Sequence, residues 1–126
     1  MVFGTFDILH PGHLDFFKQA REYGDEVVCV IARNINVFRN KGRYPQNEEK
    51  VRLAHVVESK LVDVARLGYL EDPYQIIREE NHDVICLGYD QHSYDKGLKK
   101  AFPGIKIVRL QAFRPEVYKS SKLQKN

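Results

Sequence analysis

A Rossmann-like α/β fold is what this sequence predicts: a doubly wound, mainly parallel five-stranded sheet with helices on both faces. Three observations predict it. Five short apolar runs alternate with stretches of helical character along the 126 residues. One run, Val27-Val28-Cys29-Val30-Ile31-Ala32, is apolar at every position, as in a strand covered on both faces. Strands separated by helix-length connections imply βαβ units with right-handed crossovers.

The first strand starts at Val2 and Phe3, and the next helix opens at Pro11. Proline suits the first helical position because its φ is already helical and its missing N–H would have gone unpaired. Leu14, Phe17 and Ala20 continue that helix with one apolar stripe. Val27 to Ala32 is the second strand, and Arg33 to Gln46 reads as a polar, basic loop. Asn47 suits a helix cap, with Glu48 and Glu49 in the first turn and Val51, Ala54 and Val57 facing inward. Leu61 to Leu67 is a third strand, and Asp72-Pro73 opens a helix that buries Ile76 and Ile77. Asp83 to Leu87 is a fourth strand ending at Gly88. A short helix from Ser93 to Phe102 stops near Pro103-Gly104, and Ile105 to Leu110 is the fifth strand. Residues 1–126 read as one domain without repeats.

The 43% hydrophobic and 29% charged content is that of an ordinary soluble domain. No apolar run approaches the roughly 20 residues of a membrane span, and no signal peptide is visible, so a cytoplasmic protein without a membrane partner is expected. Cys29 and Cys86 fall inside apolar strands without metal-ligand spacing and read as small buried hydrophobes. The net charge of +3 suits an anionic small substrate; no dense Lys/Arg stripe interleaved with aromatics points to nucleic acid.

The most informative segment is Gly4-Thr5-Phe6-Asp7-Ile8-Leu9-His10-Pro11-Gly12-His13. It places His10 and His13 at a helix N-terminus, where free backbone N–H groups and the dipole favour an anion. Gly12 would let a phosphate approach the backbone. In an open parallel sheet ligands bind beyond the carboxyl ends of the strands, so His10, Arg33 and Gly88-Tyr89-Asp90 should gather on one rim. His13, inside the first turn, is expected to be a neutral donor; His10, just before the helix, is expected to carry charge nearer neutral pH.

This segment resembles the signature of the HxGH nucleotidyltransferases, small α/β enzymes that transfer a nucleoside monophosphate and release pyrophosphate. Within that family the chain is most similar to the archaeal FAD synthases, and next to glycerol-3-phosphate cytidylyltransferase. The resemblance implies that His10 and His13 contact the triphosphate and stabilise its transition state. It implies that Gly4, Thr5, Phe6, Gly12 and His13 bind the nucleotide, with Asp7 and Arg33 near the acceptor; Asp7 could instead orient His10 or brace the turn. Lys41-Gly42-Arg43-x-Pro45 matches the archaeal FAD synthase form of a mobile basic loop, with Lys41 catalytic and Arg43 on the acceptor. Arg52, on the following helix, reads equally as a surface residue. Gly88-Tyr89-Asp90-Gln91 matches a Gly-x-Asp motif in which Gly88 and Asp90 hold the nucleotide. Cytidylyltransferases have tryptophan after that aspartate, and this chain contains none. Arg114-Pro115-Glu116 followed by Ser120-Ser121 is similar to the last family motif, with Arg114 clamping phosphate and the two serines at a helix start. Pro115, Val117 and Lys119 depart from its cytidylyltransferase form.

The implied reaction is transfer of AMP from ATP to FMN, with Mg²⁺ or another divalent cation carried mainly by the nucleotide phosphates and no metal site on the protein. Two alternatives stand beside it: cytidylyl or adenylyl transfer to a polyol or sugar phosphate such as glycerol 3-phosphate or heptose phosphate, and a non-enzymatic nucleotide- or RNA-binding module. A homodimer is expected, using a helix face and the region of Leu61 to Leu70. Phe6, Tyr44, Tyr89 and Phe113 are aromatic candidates for holding a flavin or a base, and equally for core or surface.

Overall fold

The computed structural model describes residues 1–72, 74–88 and 95–111. The elements run β1 (Val2–Gly4), α1 (Pro11–Arg21), β2 (Val28–Ile31), α2 (Asn34–Lys41), α3 (Glu49–Glu58), β3 (Val64–Leu67), α4 (Gln75–Glu80), β4 (Val84–Leu87), α5 (Asp95–Ala101) and β5 (Lys106–Arg109). The five strands form one parallel sheet in the order β3-β2-β1-β4-β5. The strands are those expected, trimmed by one to three residues at their ends.

Strand alternation divides the core into two layers. Val2, Cys29, Ile31 and Cys86 face α1 and α3, where Phe17, Ala20 and Val56 complete one cluster. Val28, Val30, Ile85 and Leu87 face α4 and α5, joined by Ile76, Ile77 and Leu98. Helices therefore cover both faces, the doubly wound arrangement the alternation implied. Burying a side chain such as Phe17 completely contributes about 2–3 kcal/mol. Cys29 and Cys86 both lie beside Val2, on β2 and β4, so a whole strand separates them, about 10 Å. Both are free thiols, and burial raises the pKa of each.

Two elements differ from the sequence reading. The basic stretch after β2 is not a loop throughout: Asn34–Lys41 forms α2, which buries Val37. Its start is stabilised from a distant element, as the Glu49 carboxylate accepts the Asn34 N–H at 2.9 Å. Its end is set by Gly42 at φ 76°, which frees the chain to turn while its N–H reaches the Phe38 carbonyl. In α3 the inward stripe is Arg52, Leu53 and Val56, and Val51, Ala54 and Val57 are exposed. A charged residue occupies the position most deeply buried, so the apolar pattern pointed to the wrong face. Asn47 does not cap α3 with its side chain; that group donates to the Asp7 carbonyl instead.

Candidate active site

From β1 the chain runs outward to β2 and β3 on one side, then returns to β4 and β5 on the other. The crevice where this order reverses lies beyond the carboxyl ends of β1 and β4, beside Gly4 and Gly88. Everything at the site is built on the loop leaving β1.

That loop turns sharply at Phe6, a non-glycine residue at φ 50°. The turn folds the Phe6 ring back over Gly4, where a Cβ would stand 2.7 Å from Phe6 Cζ, so only glycine fits beneath it. The ring is buried and meets His13 edge-on, with centroids 5.4 Å apart, and Phe17 at 5.2 Å. Phe6 is thus a core post that supports His13.

His10 is the N-cap of α1. Its backbone carbonyl accepts from His13 N–H and Leu14 N–H, and its ring Nδ1 accepts from Gly12 N–H at 3.0 Å. With Nδ1 accepting, the proton of the neutral ring sits on Nε2, which is left to donate. The His10 and His13 rings stack, 4.0 Å between centroids and 25° apart in plane. A Cβ on Gly12 would stand 2.8 Å from His10 Cε1. Glycine therefore leaves room there for the histidine ring. Burial lowers the His10 pKa from its ordinary value, and protonating Nδ1 would set it against the Gly12 N–H. Both effects favour the neutral ring, against the charge expected from its place before the helix.

The connection from α2 to α3 is fastened to the same loop. Asp7 accepts backbone N–H groups of Gln46 and Asn47, one on each carboxylate oxygen, both at 2.8 Å. It acts as a brace between the two loops, the turn-bracing alternative read from the sequence. Lys41 Nζ lies 3.3 Å from the Thr5 hydroxyl, which brings this cation to the end of β1. Arg43 is exposed two residues further on. Arg33 pairs with Glu49 at 3.1 Å, and the same carboxylate holds the start of α2.

Arg52 joins these parts. Its side chain is completely buried, and its guanidinium donates to the carbonyls of Thr5 (2.8 Å) and Asn47 (3.0 Å) and to Asn34 Oδ1 (2.7 Å). Burial lowers its pKa, and the charges of Asp7, Glu49 and Glu48 oppose that shift. One side chain thus sets the spacing of three rim segments, with Arg in the role because its donors fork in fixed directions. Arg52, Asn34, Asn47 and Glu49 form a support that motif reading did not assemble. The available signal was an arginine adjoining Leu53 and Val56 on one helical stripe.

On the other side of the crevice, Arg109 donates to the Gly88 carbonyl. Gln19 of α1 exchanges two hydrogen bonds with the Gln111 backbone, at 2.9 and 3.0 Å, fixing the chain as it leaves β5 beside α1. Asp90, Arg114, Ser120 and Ser121 lie outside the described residues, as do Pro73, Tyr89 and Phe113. Among the described residues no group of three or more His, Cys, Asp or Glu side chains gathers as a metal site. No described helix is long and apolar enough to cross a membrane.

Comparison with known proteins agrees with this geometry. The chain is 38% identical to a FAD synthase of Thermoplasma volcanium over 130 aligned residues, covering 99% of this chain and 90% of that one. It is 46% identical to a FAD synthase of Methanothrix thermoacetophila over 99 residues, covering 79% and 68% of the two chains. A crystal structure described as the lipopolysaccharide core biosynthesis protein from Thermoplasma volcanium superposes with a TM-score of 0.83 at 39% identity, covering 90% of this chain and 95% of that one. The profile of the cytidylyltransferase-like family matches residues 1–125, and the chain belongs to that family.

Proposed function

We propose that the chain transfers AMP from ATP to FMN, forming FAD and releasing pyrophosphate. The observation that carries this reading is the stacked His10–His13 pair at the N-terminus of α1, beside the crevice between β1 and β4, in a chain with FAD synthase relatives over most of its length. A phosphate oxygen of FMN attacks the α-phosphorus in line; the bond to the bridging oxygen breaks and its electron pair leaves with pyrophosphate. Phosphate oxygen is already a nucleophile, so the protein's work is positioning and charge stabilisation. His10 Nε2–H, His13 and the first N–H groups of α1 donate to the phosphoryl oxygens, and Lys41 and Arg43 supply positive charge as pyrophosphate departs. Gly4, Thr5 and Gly12 shape the floor of the nucleotide site. Gly88 and Asp90 take the ribose or base, and Arg114, Ser120 and Ser121 clamp phosphate from the C-terminal segment. Arg33 stays close to the acceptor. Nucleotidyltransferases of this kind generally use a divalent cation; held mainly by the nucleotide and not by protein ligands, it would supply shielding of the phosphate charge.

Residues 1–126 act in this reading as one catalytic domain, in the cytoplasm and as a homodimer; sedimentation as a monomer at micromolar concentration would remove the last point. A sugar-phosphate acceptor is the second reading, because the solved neighbour is described as a lipopolysaccharide core biosynthesis protein. The test incubates the protein with ATP or CTP, Mg²⁺, and FMN, glycerol 3-phosphate or heptose phosphate in turn, following pyrophosphate. Release from ATP with FMN alone, accompanied by FAD, is the expected result; release with a sugar phosphate instead would overturn the FMN assignment.

A further inference from the structure

We propose that Phe38 and Tyr44 form the platform on which the isoalloxazine ring of the acceptor stacks. The proposal rests on the FMN reading above and adds the place where the ring is held.

The two rings stack on each other, with centroids 4.7 Å apart and planes within 21°. Both are largely exposed, Phe38 at 41% and Tyr44 at 58%. A stacked pair open on its outer face offers a flat π surface to a planar ligand. Of the other sequence candidates in the described part, Phe6 is buried in the core. Tyr23, the remaining exposed aromatic there, precedes β2 at the amino ends of the strands, away from the crevice.

Position favours the acceptor. Tyr44 is suspended between two anchors on the β1 loop: Lys41 on the Thr5 hydroxyl, and Gln46 N–H on Asp7. Only Pro45 separates Tyr44 from Gln46, a reach of about 7 Å at most. The segment carrying the pair is thus tied, through Thr5 and Asp7, to the same loop that leads to His10. FMN needs a ring site apart from its reacting phosphate, because its polyhydroxy chain separates the two. Lys41 and Arg43 lie between Phe38 and Tyr44 in the chain, which puts two cations on the segment that carries the rings. The pair also belongs to the β2 side of β1, opposite the Gly88 side where nucleotide is expected. An electron-rich phenol ring backed by a second aromatic suits an electron-poor tricyclic ring, and such stacking typically contributes ten-fold or more in affinity, on the order of a nucleobase on an aromatic side chain.

The experiment measures FMN binding by flavin fluorescence, together with KM for FMN and for ATP, on wild type, Tyr44→Ala, Tyr44→Phe and Phe38→Ala. Tyr44→Ala should raise Kd and KM for FMN by on the order of ten-fold with KM for ATP little changed. Tyr44→Phe, which keeps a ring, should recover most of that loss, and Phe38→Ala, which removes the backing ring, should weaken FMN less than Tyr44→Ala. If wild type makes FAD but Tyr44→Ala binds FMN normally, the platform alone is wrong. If the increase falls on ATP, the pair holds adenine and the proposal is overturned. If wild type makes no FAD from FMN, the acceptor reading falls and the platform with it.

Discussion

Replacing Arg52 by Met removes the one side chain that spans the three rim segments while nearly preserving its volume. Three acceptors then lose their donor: the carbonyls of Thr5 and Asn47 and the amide oxygen of Asn34. A hydrogen bond to a charged group contributes about 1.5–3 kcal/mol, so a plain sum would reach 5–9 kcal/mol. The loops at Thr5 and Asn47 lie near the surface, and water can reach part of what is exposed when they relax. The net loss should therefore be about 3–5 kcal/mol, in the range seen when one partner of a buried charged network is deleted. For a domain of this size that corresponds to a drop in Tm of about 10–20 °C. Urea titrations followed by circular dichroism, with the slope m checked for constancy, measure it directly. Arg52→Lys should recover less than half, since one ammonium cannot reach three acceptors lying in different directions. Turnover of the Met variant, corrected for the folded fraction at low temperature, should still fall, because Thr5 and Asn47 carry the loops that place Lys41 and the histidines. A loss in ΔG below about 1 kcal/mol would show that the three segments hold their spacing without the guanidinium, and the reasoning would fail.

Further outcomes follow from the same geometry. His10→Ala and His13→Ala should each lower kcat on the order of 100- to 1000-fold with the FMN dissociation constant little changed, since their donors gain strength as charge moves onto the leaving group; near-normal turnover in both would refute the phosphate-site reading. Asp7→Ala frees the Gln46 and Asn47 N–H groups, so cleavage by a protease within residues 42–47 should accelerate while the core unfolds at nearly the wild-type urea concentration; unchanged cleavage would deny Asp7 its bracing part. Acid should destabilise the protein through His10. Its native pKa lies below the ordinary 6.5, so as pH falls through that value the unfolded chain takes up a proton that the native state refuses. Stability should drop more steeply between pH 6.5 and the native pKa in wild type than in His10→Asn, which keeps a capping acceptor without titrating; equal slopes in urea midpoints would count against it.

The parts legible in the sequence are those governed by short-range pattern. Val27 to Ala32 and Ile76-Ile77 announce burial through apolar runs, and Pro11 announces the start of α1 through a fixed φ. The order of strands and helices carried the doubly wound topology, because right-handed crossovers leave little choice once the elements are known. The spacing of His10 and His13 around Pro11 and Gly12 brings their rings together, since neighbours in one helical turn are close in space whatever the rest of the chain does.

Long-range contacts decided the rest. Arg33 to Gln46 reads as loop because its own residues provide no side-chain cap at the start, and α2 forms there with its start held by Glu49, fifteen residues away. Val51, Ala54 and Val57 form a plausible inward stripe, yet α3 turns Arg52 inward, because only a buried fork of donors could satisfy Thr5, Asn34 and Asn47 together. His10 is expected to carry charge nearer neutral pH from helix position alone; the Gly12 N–H and the burial of its ring favour the neutral form. Apolar periodicity and backbone geometry are properties of a few adjacent residues, and the sequence alone determined them. Which polar groups are paired, and which protonation state they keep, depends on partners brought close only by the folded chain, so tertiary structure decided that.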